Sequence, residues 1–223
     1  MSSQSGITEE VDRLYGFRAS ENRRSAYTPV QCGNVIETRI RTILILASNP
    51  TDQGRLRLGR EVSEIEEGLR RSKYRERFVI EQRWAINPTG WHRAMLDLEP
   101  EIVHFCGHGS GVDGLVLEDR KGRSQLTRSD ALARLFHFFA DRVECVVLNA
   151  CLSHVQAQAI SMHIKYVVGM SQTIGDEAAI QFSKGFYDAL GAGRSYPVAY
   201  DFGCSAIDMQ GIPEQLTPKL FVK

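Results

Sequence analysis

The chain has no excess charge of either sign: 27 Lys and Arg stand against 27 Asp and Glu. A neutral balance gives no general attraction to a phosphate backbone or an anionic bilayer. The arginine pairs Arg23–Arg24 and Arg70–Arg71 have no interleaved aromatics on which bases would stack, so no nucleic acid and no membrane is expected as a partner. Nowhere do roughly eighteen apolar residues run together, and MSSQSGITEE lacks a basic region leading into an apolar one. A soluble, unexported protein is the expectation. The five cysteines are odd in number and mostly lie inside apolar runs, which excludes a disulfide framework and points to a reducing cytoplasm. No internal repeat or low-complexity tract is present, no CxxC or HExxH occurs, and no GxGxxG or GxxxxGK[ST] follows the first apolar run. The last absence argues against an α/β nucleotide-binding protein.

What is present is an alternation of apolar strands and amphipathic helices. TILILA at 42–47 reads as a buried strand stopped by Asn49-Pro50, and Val62, Ile65 and Leu69 recur at helical spacing after it. FVIEQRWAI at 78–86 is a second strand, a short helix near 90–98 follows, and EIVHFCGHGS at 101–110 begins with a third. GLVLED at 114–119, a basic turn with Gly122 at its tip, and SQL read as a hairpin. Thr127 and Asp130 have capping-box spacing before a helix whose apolar face is Leu132, Leu135, Phe136 and Phe139. CVVLNACLS at 145–153 is the next strand and turn. A helix from about His154, a strand at 164–169, a long helix from Asp176 to Gly191, a helix at 196–209 and a KLFV strand complete the pattern.

Strands that are nearly all apolar and alternate with helices predict an α/β fold, a mostly parallel sheet covered on both faces. Residues 1–38 are polar and without period, and read as an N-terminal arm before one domain at 39–223. In such a sheet the functional site lies beyond the carboxyl ends of the strands, where His108 and Cys151 both fall. Adjacent parallel strands lie only ~4.8 Å apart, so an imidazole and a thiol at neighbouring strand ends can meet. An imidazole beside a thiol makes thiolate available near neutral pH, and thiolate is the attacking species. Gly109 leaves its backbone open to close approach, so its amide and that of Cys151 are candidate oxyanion donors. His104, Cys106 and His108 alternate along one run and offer three zinc ligands in principle. With no fourth ligand at a suitable spacing, His104 and Cys106 are read instead as internally bonded core residues, and no metal is expected.

The motifs H-F-x-G-H-G and L-N-A-C-x-S resemble those of the CHAT domain, a branch of the caspase-like cysteine peptidases. ILILASNP, REVSEIEEGLR, GLVLED, IGDEAAIQFSKGFYDALGAGRS and GIPEQLTP follow in the order expected of that domain, and the likeness covers roughly 40–222. The resemblance implies a three-layer sandwich with about six strands. It also implies a Cys151 nucleophile, a His108 base or imidazolium, and oxyanion amides at Gly109 and Cys151. It implies an intracellular endopeptidase without cofactor, acting on protein or peptide substrates and switched on by a partner or sensor, as in bacterial defence. At this length the chain has no room for a sensor, so the expected regulator is a separate protein or a second copy. In that family an Asp at the station of Asp176 lines the pocket for the residue before the scissile bond, which implies cleavage after Arg or Lys. Asp at the start of a helix also caps free amides whatever the function, so Asp176 has two readings. Asp113 and Glu177 are weaker candidates for the same pocket. The basic hairpin turn 119–123 has two readings of its own, a solvated tip or a site for self-cleavage or partner docking. The competing class is a catalytically silent interaction module on the same fold.

Overall fold

The computed structural model describes residues 39–223. The arm expected at 1–38 lies outside the described residues. Six strands form the main sheet in the order β2 (Phe78–Trp84), β1 (Arg41–Ala47), β3 (Ile102–Cys106), β7 (Cys145–Asn149), β8 (Tyr166–Met170) and β9 (Pro218–Val222). All neighbours pair in parallel except β9, which runs antiparallel to β8. A second sheet of three short antiparallel strands, β4 (His108–Gly109), β5 (Leu115–Glu118) and β6 (Ser124–Thr127), stands beyond the end of β3.

The inner strands β1, β3, β7 and β8 are nearly all apolar because their residues meet a helix layer whichever way they point, whereas the edge strands β2 and β9 are partly exposed and β2 carries Glu81, Gln82 and Arg83. Ile43, Ile45, Ile102, Cys145, Val147 and Val168 face one layer. That layer holds α1 (Leu58–Arg71), α5 (Asp176–Gly191) and α6 (Tyr196–Met209). Leu44, Leu46, Val103, Phe105, Val146 and Val167 face the other. There they meet α2 (Pro88–Leu98), α3 (Ser129–His137) and α4 (His154–Ile160). This is the expected three-layer α/β arrangement. On the second side Trp91 stacks on Phe105 with ring centroids 5.6 Å apart, both rings buried. Burying one such side chain is worth roughly 1.5–3 kcal/mol, so the aromatic pair anchors α2 to the sheet.

Two local expectations are corrected. Thr127 and Asp130 form no capping box: the N-cap of α3 is Arg128 without a side-chain cap bond, and Asp130 takes Arg128 and Arg134. The arginines on either side out-compete the helix amides for the carboxylate. His108 does not continue the strand of His104 and Cys106, because the main-sheet ladder ends at Cys106 and His108 pairs with Val116 in the small sheet. His108 accordingly lies outside the group of donor atoms that His104 and Cys106 form with Glu61.

Candidate active site

The carboxyl ends of β3 and β7 are neighbours, with Cys106 opposite Asn149 in the parallel register. Two residues beyond each of these stand His108 and Cys151. Both line one cavity of about 30 Å³, together with Leu56, Leu58, Glu61, Gly107, Asn149, Ala150, Ile174, Asp176 and Ala179. That volume admits on the order of one or two waters. Gly109 lies directly against the Cys151 carbonyl, where any Cβ would collide, so glycine there is a steric requirement for bringing the two turns together.

The turn carrying Cys151 is held tightly. Leu152 adopts a left-handed conformation at φ 55°, a cost that the surroundings must offset. Its amide donates to the Gln172 carbonyl at 3.1 Å. The fully buried Ser153 hydroxyl donates to Leu148 O at 2.8 Å and accepts from Met170 N at 2.9 Å, tying the turn to β7 and β8. Of the four described cysteines, all free, Cys106 and Cys145 are buried and Cys151 and Cys204 partly buried. Burial holds the thiols of Cys106, Cys145 and Cys204 above their usual range. Cys151 is the one that shares a cavity with His108.

The segment between β1 and α1 covers the site. Nε2 of His108 lies 2.7 Å from the Gly54 carbonyl. A carbonyl only accepts, so Nε2 carries the proton and Nδ1 is left as the basic nitrogen. The segment is closed by Asn49, whose side chain donates to Leu56 O at 3.2 Å and accepts from Leu56 N at 3.4 Å. It is also clamped to the β5–β6 hairpin. Thr51 N donates to Gly122 O at 2.9 Å, and Asp52 accepts from the Ser124 amide and hydroxyl at 2.9 and 2.7 Å.

Asp176 is the first residue of α5, and Gly175 is its N-cap with no side-chain cap bond. Its carboxylate takes Arg57 instead, from Nε at 2.6 Å and from the backbone amide at 3.3 Å. Glu177 accepts from Arg57 and Arg60 at 3.0 and 2.9 Å. The amide of Gln181 and these guanidiniums hold the Glu177 carboxyl below its usual range. Asp113 does not reach the cavity. It sits in a single 3-10 turn at Gly111–Asp113, where Ser110 Oγ donates to its carboxylate at 3.3 Å.

Under the cavity lies a polar network. Glu61, 3% exposed, takes three partners on one oxygen, Oε1: His104 Nε2 at 2.9 Å, Asn149 Nδ2 at 2.6 Å and Ser183 Oγ at 2.7 Å. The Tyr187 hydroxyl lies 3.2 Å from His104 Nδ1. Glu61, His104 and Cys106 bring their donor atoms within 4.8 Å of one another, the grouping closest to a metal site among the described residues. Their chemistry is that of a bonded network: both His104 nitrogens and Oε1 are engaged, and Cys106 is held as a thiol that approaches Leu46 O at 3.8 Å. Sequence reasoning missed Glu61, yet it lies on the stripe Leu58, Val62, Ile65, Leu69 that faces the core. A carboxylate on an apolar stripe is the signal that marks it. Gly54 and Arg57 carry no such signal, since only the path of the covering segment gives them a role.

The CHAT domain profile matches residues 17–199, a span that begins inside the stretch read from sequence as an arm. A "Roc-COR-CHAT protease" from an unnamed prokaryote is 23% identical over 190 residues, 80% of this chain and 17% of that protein. A "probable protease" of Gillisia limnaea is 22% identical over 163 residues, 72% of this chain and 29% of that protein. The chain thus spans less than a third of either relative. Among solved structures, a secreted C11 cysteine protease of Bacteroides thetaiotaomicron superposes with a TM-score of 0.61 at 14% identity, covering 82% of this chain and 66% of that one. The Arg-specific proteinase gingipain R gives 0.61 at 13%, covering 84% and 47%. Caspase-1 of Spodoptera frugiperda gives 0.54 at 12%, covering 82% and 87%. These likenesses establish a caspase-like fold. No helix among the described residues is long and apolar enough to cross a membrane.

Proposed function

The chain belongs to the CHAT domain family, and on that premise we propose that it is a cysteine endopeptidase with Cys151 as nucleophile and His108 as its base. The observation that carries this reading is that His108, from the small sheet, and Cys151, from the turn after β7, line one cavity at the carboxyl edge of the main sheet. With Nε2 fixed on Gly54 O, Nδ1 takes the thiol proton. The thiolate attacks the scissile carbonyl carbon, and the oxyanion rests on the amides of Gly109 and Cys151. The imidazolium returns its proton to the leaving amine, and water hydrolyses the thioester. Asp176 at the cavity rim favours Arg or Lys before the scissile bond, because a cation compensates a carboxylate that substrate binding takes out of water. The same reading extends to partner- or sensor-controlled action within the cell, of the kind used in bacterial defence. Its support is the family and a relative named for Roc and COR parts beside its CHAT part.

The test is proteolysis of a whole-proteome extract read by mass spectrometry, beside labelling with a thiol-reactive peptide electrophile. Cys151→Ala and His108→Ala are each expected to lose on the order of 10⁴-fold in kcat/KM, with the double variant scarcely worse, because members of a catalytic unit fail together. Substantial cleavage by purified Cys151→Ala overturns the mechanism. An unlabelled Cys151 in a well-folded wild type assigns the domain to the interaction modules instead.

A further inference from the structure

We propose that Arg57 is a tethered competitor for the carboxylate of the specificity pocket, a cation of the chain's own that holds Asp176 from outside the cavity and that a basic substrate side chain must displace. The inference rests on the reading of Asp176 as the carboxylate of that pocket. As it stands the cavity between Cys151, His108 and Asp176 offers about 30 Å³, which holds a water or two and no lysine or arginine side chain. The Asp176 carboxylate is already engaged by the Arg57 guanidinium at 2.6 Å, and the same guanidinium reaches Glu177 at 3.0 Å. The pair is the one that an arginine before the scissile bond would make, with the internal residue in its place.

A second observation points to a donor-bearing visitor. Asn149, 3% exposed, lines the same cavity, and its Oδ1 has no hydrogen-bond partner among the described residues. A buried acceptor without a partner is costly, and a cationic side chain entering the cavity supplies the missing donor.

The clamps on the covering segment limit how the carboxylate can be freed. Arg57 lies three residues beyond Gly54, whose carbonyl orients His108, and the segment before it is clamped to the hairpin through Thr51 and Asp52. Withdrawing the whole segment would release His108 and disarm the dyad. The displacement is therefore a swing of the Arg57 side chain alone, which is about half exposed and free to turn outward. The backbone amide of Arg57 keeps its bond to Asp176 Oδ1 throughout, so the carboxylate stays in position for its new partner. One guanidinium replaces another, and the charge at the rim is unchanged.

The test compares wild type with Arg57→Ala and Arg57→Gln on fluorogenic peptides with Arg, Lys or norleucine before the scissile bond. Binding of agmatine, a free guanidinium ligand, is measured alongside by calorimetry and requires no turnover. A competitor that holds the carboxylate about nine-tenths of the time weakens apparent affinity about tenfold. The variants are therefore expected to bind agmatine about tenfold more tightly and to gain about tenfold in kcat/KM on Arg and Lys peptides, chiefly through KM, with norleucine little changed. Unchanged or weaker agmatine binding overturns the proposal and leaves Arg57 as a brace between α1 and α5. Tighter agmatine binding with no cleavage by any of the proteins supports the competition for Asp176 while overturning the peptidase reading.

Discussion

Glu61 and Asp176 reach the same cavity from opposite sides and are secured in opposite ways. Glu61 comes from below, 3% exposed, its Oε1 shared among His104, Asn149 and Ser183, whose partner atoms are all fixed in the core. Asp176 comes from the rim, 28% exposed, and its side-chain partner is a half-exposed arginine on a covering segment. A buried carboxylate with three short bonds has no use for a substrate, since each bond given up leaves an unsatisfied polar group. An exposed pair costs little to open, because water and salt already compete for it. One carboxylate is suited to hold the floor under Cys151, the other to trade partners.

The sharpest way to break this contrast is Glu61→Ala. It leaves His104 Nε2 without its partner, takes from the buried Ser183 hydroxyl its acceptor while Asn149 still donates to it, and takes a bond from Asn149, two residues before Cys151. A lost partner for a buried polar group costs about 1–3 kcal/mol, so the variant is expected to lose about 3 kcal/mol of unfolding free energy, with cleavage falling as the floor of the site loosens. A loss under about 1 kcal/mol in guanidinium unfolding would show that the network is not a support.

Asp176→Ala comes next and is expected to divide the other way, with activity falling and stability nearly kept. Removing one member of a desolvated charge pair costs ~2–5 kcal/mol, or roughly thirtyfold and upward in kcat/KM for Arg and Lys peptides. Stability should change by less than about 1 kcal/mol, because the pair with Arg57 is exposed and α5 draws no cap bond from this side chain. Unchanged selectivity with a lowered melting temperature would return Asp176 to a structural role at the helix start.

How much of this was legible in the sequence follows the range of the forces involved. The strands and helices showed as local periodicities, and their near-complete apolarity gave the covered parallel sheet; the ends of α5 and α6 fell at residues named from pattern alone. The meeting of His108 and Cys151 in one cavity followed from strand adjacency. The partners of Asp176 and His108 did not, because Arg57 lies 119 residues from Asp176 and Gly54 lies 54 residues from His108, on a segment whose course depends on clamps to Gly122 and Ser124. The capping box at Thr127 failed for a related reason: an arginine on either side of Asp130 offers a stronger partner than the helix amides.

The smallest expected effect belongs to Asp113, and it tests whether the loop after the His motif takes part in the pocket at all. By spacing alone Asp113 and Asp176 are both acids that follow a site motif. The structure separates them: Asp176 borders the cavity, while Asp113 closes a 3-10 turn with its Ser110 partner at 3.3 Å. Surface substitutions away from special features stay within about 0.5 kcal/mol, so Asp113→Ala should leave both the melt and the preference among Arg, Lys and norleucine peptides unchanged within error. A selective loss on basic peptides would mean that this turn rearranges to face substrate. The pocket would then have two acidic walls, and the contrast between a fixed floor and one exchangeable rim carboxylate would have to be redrawn.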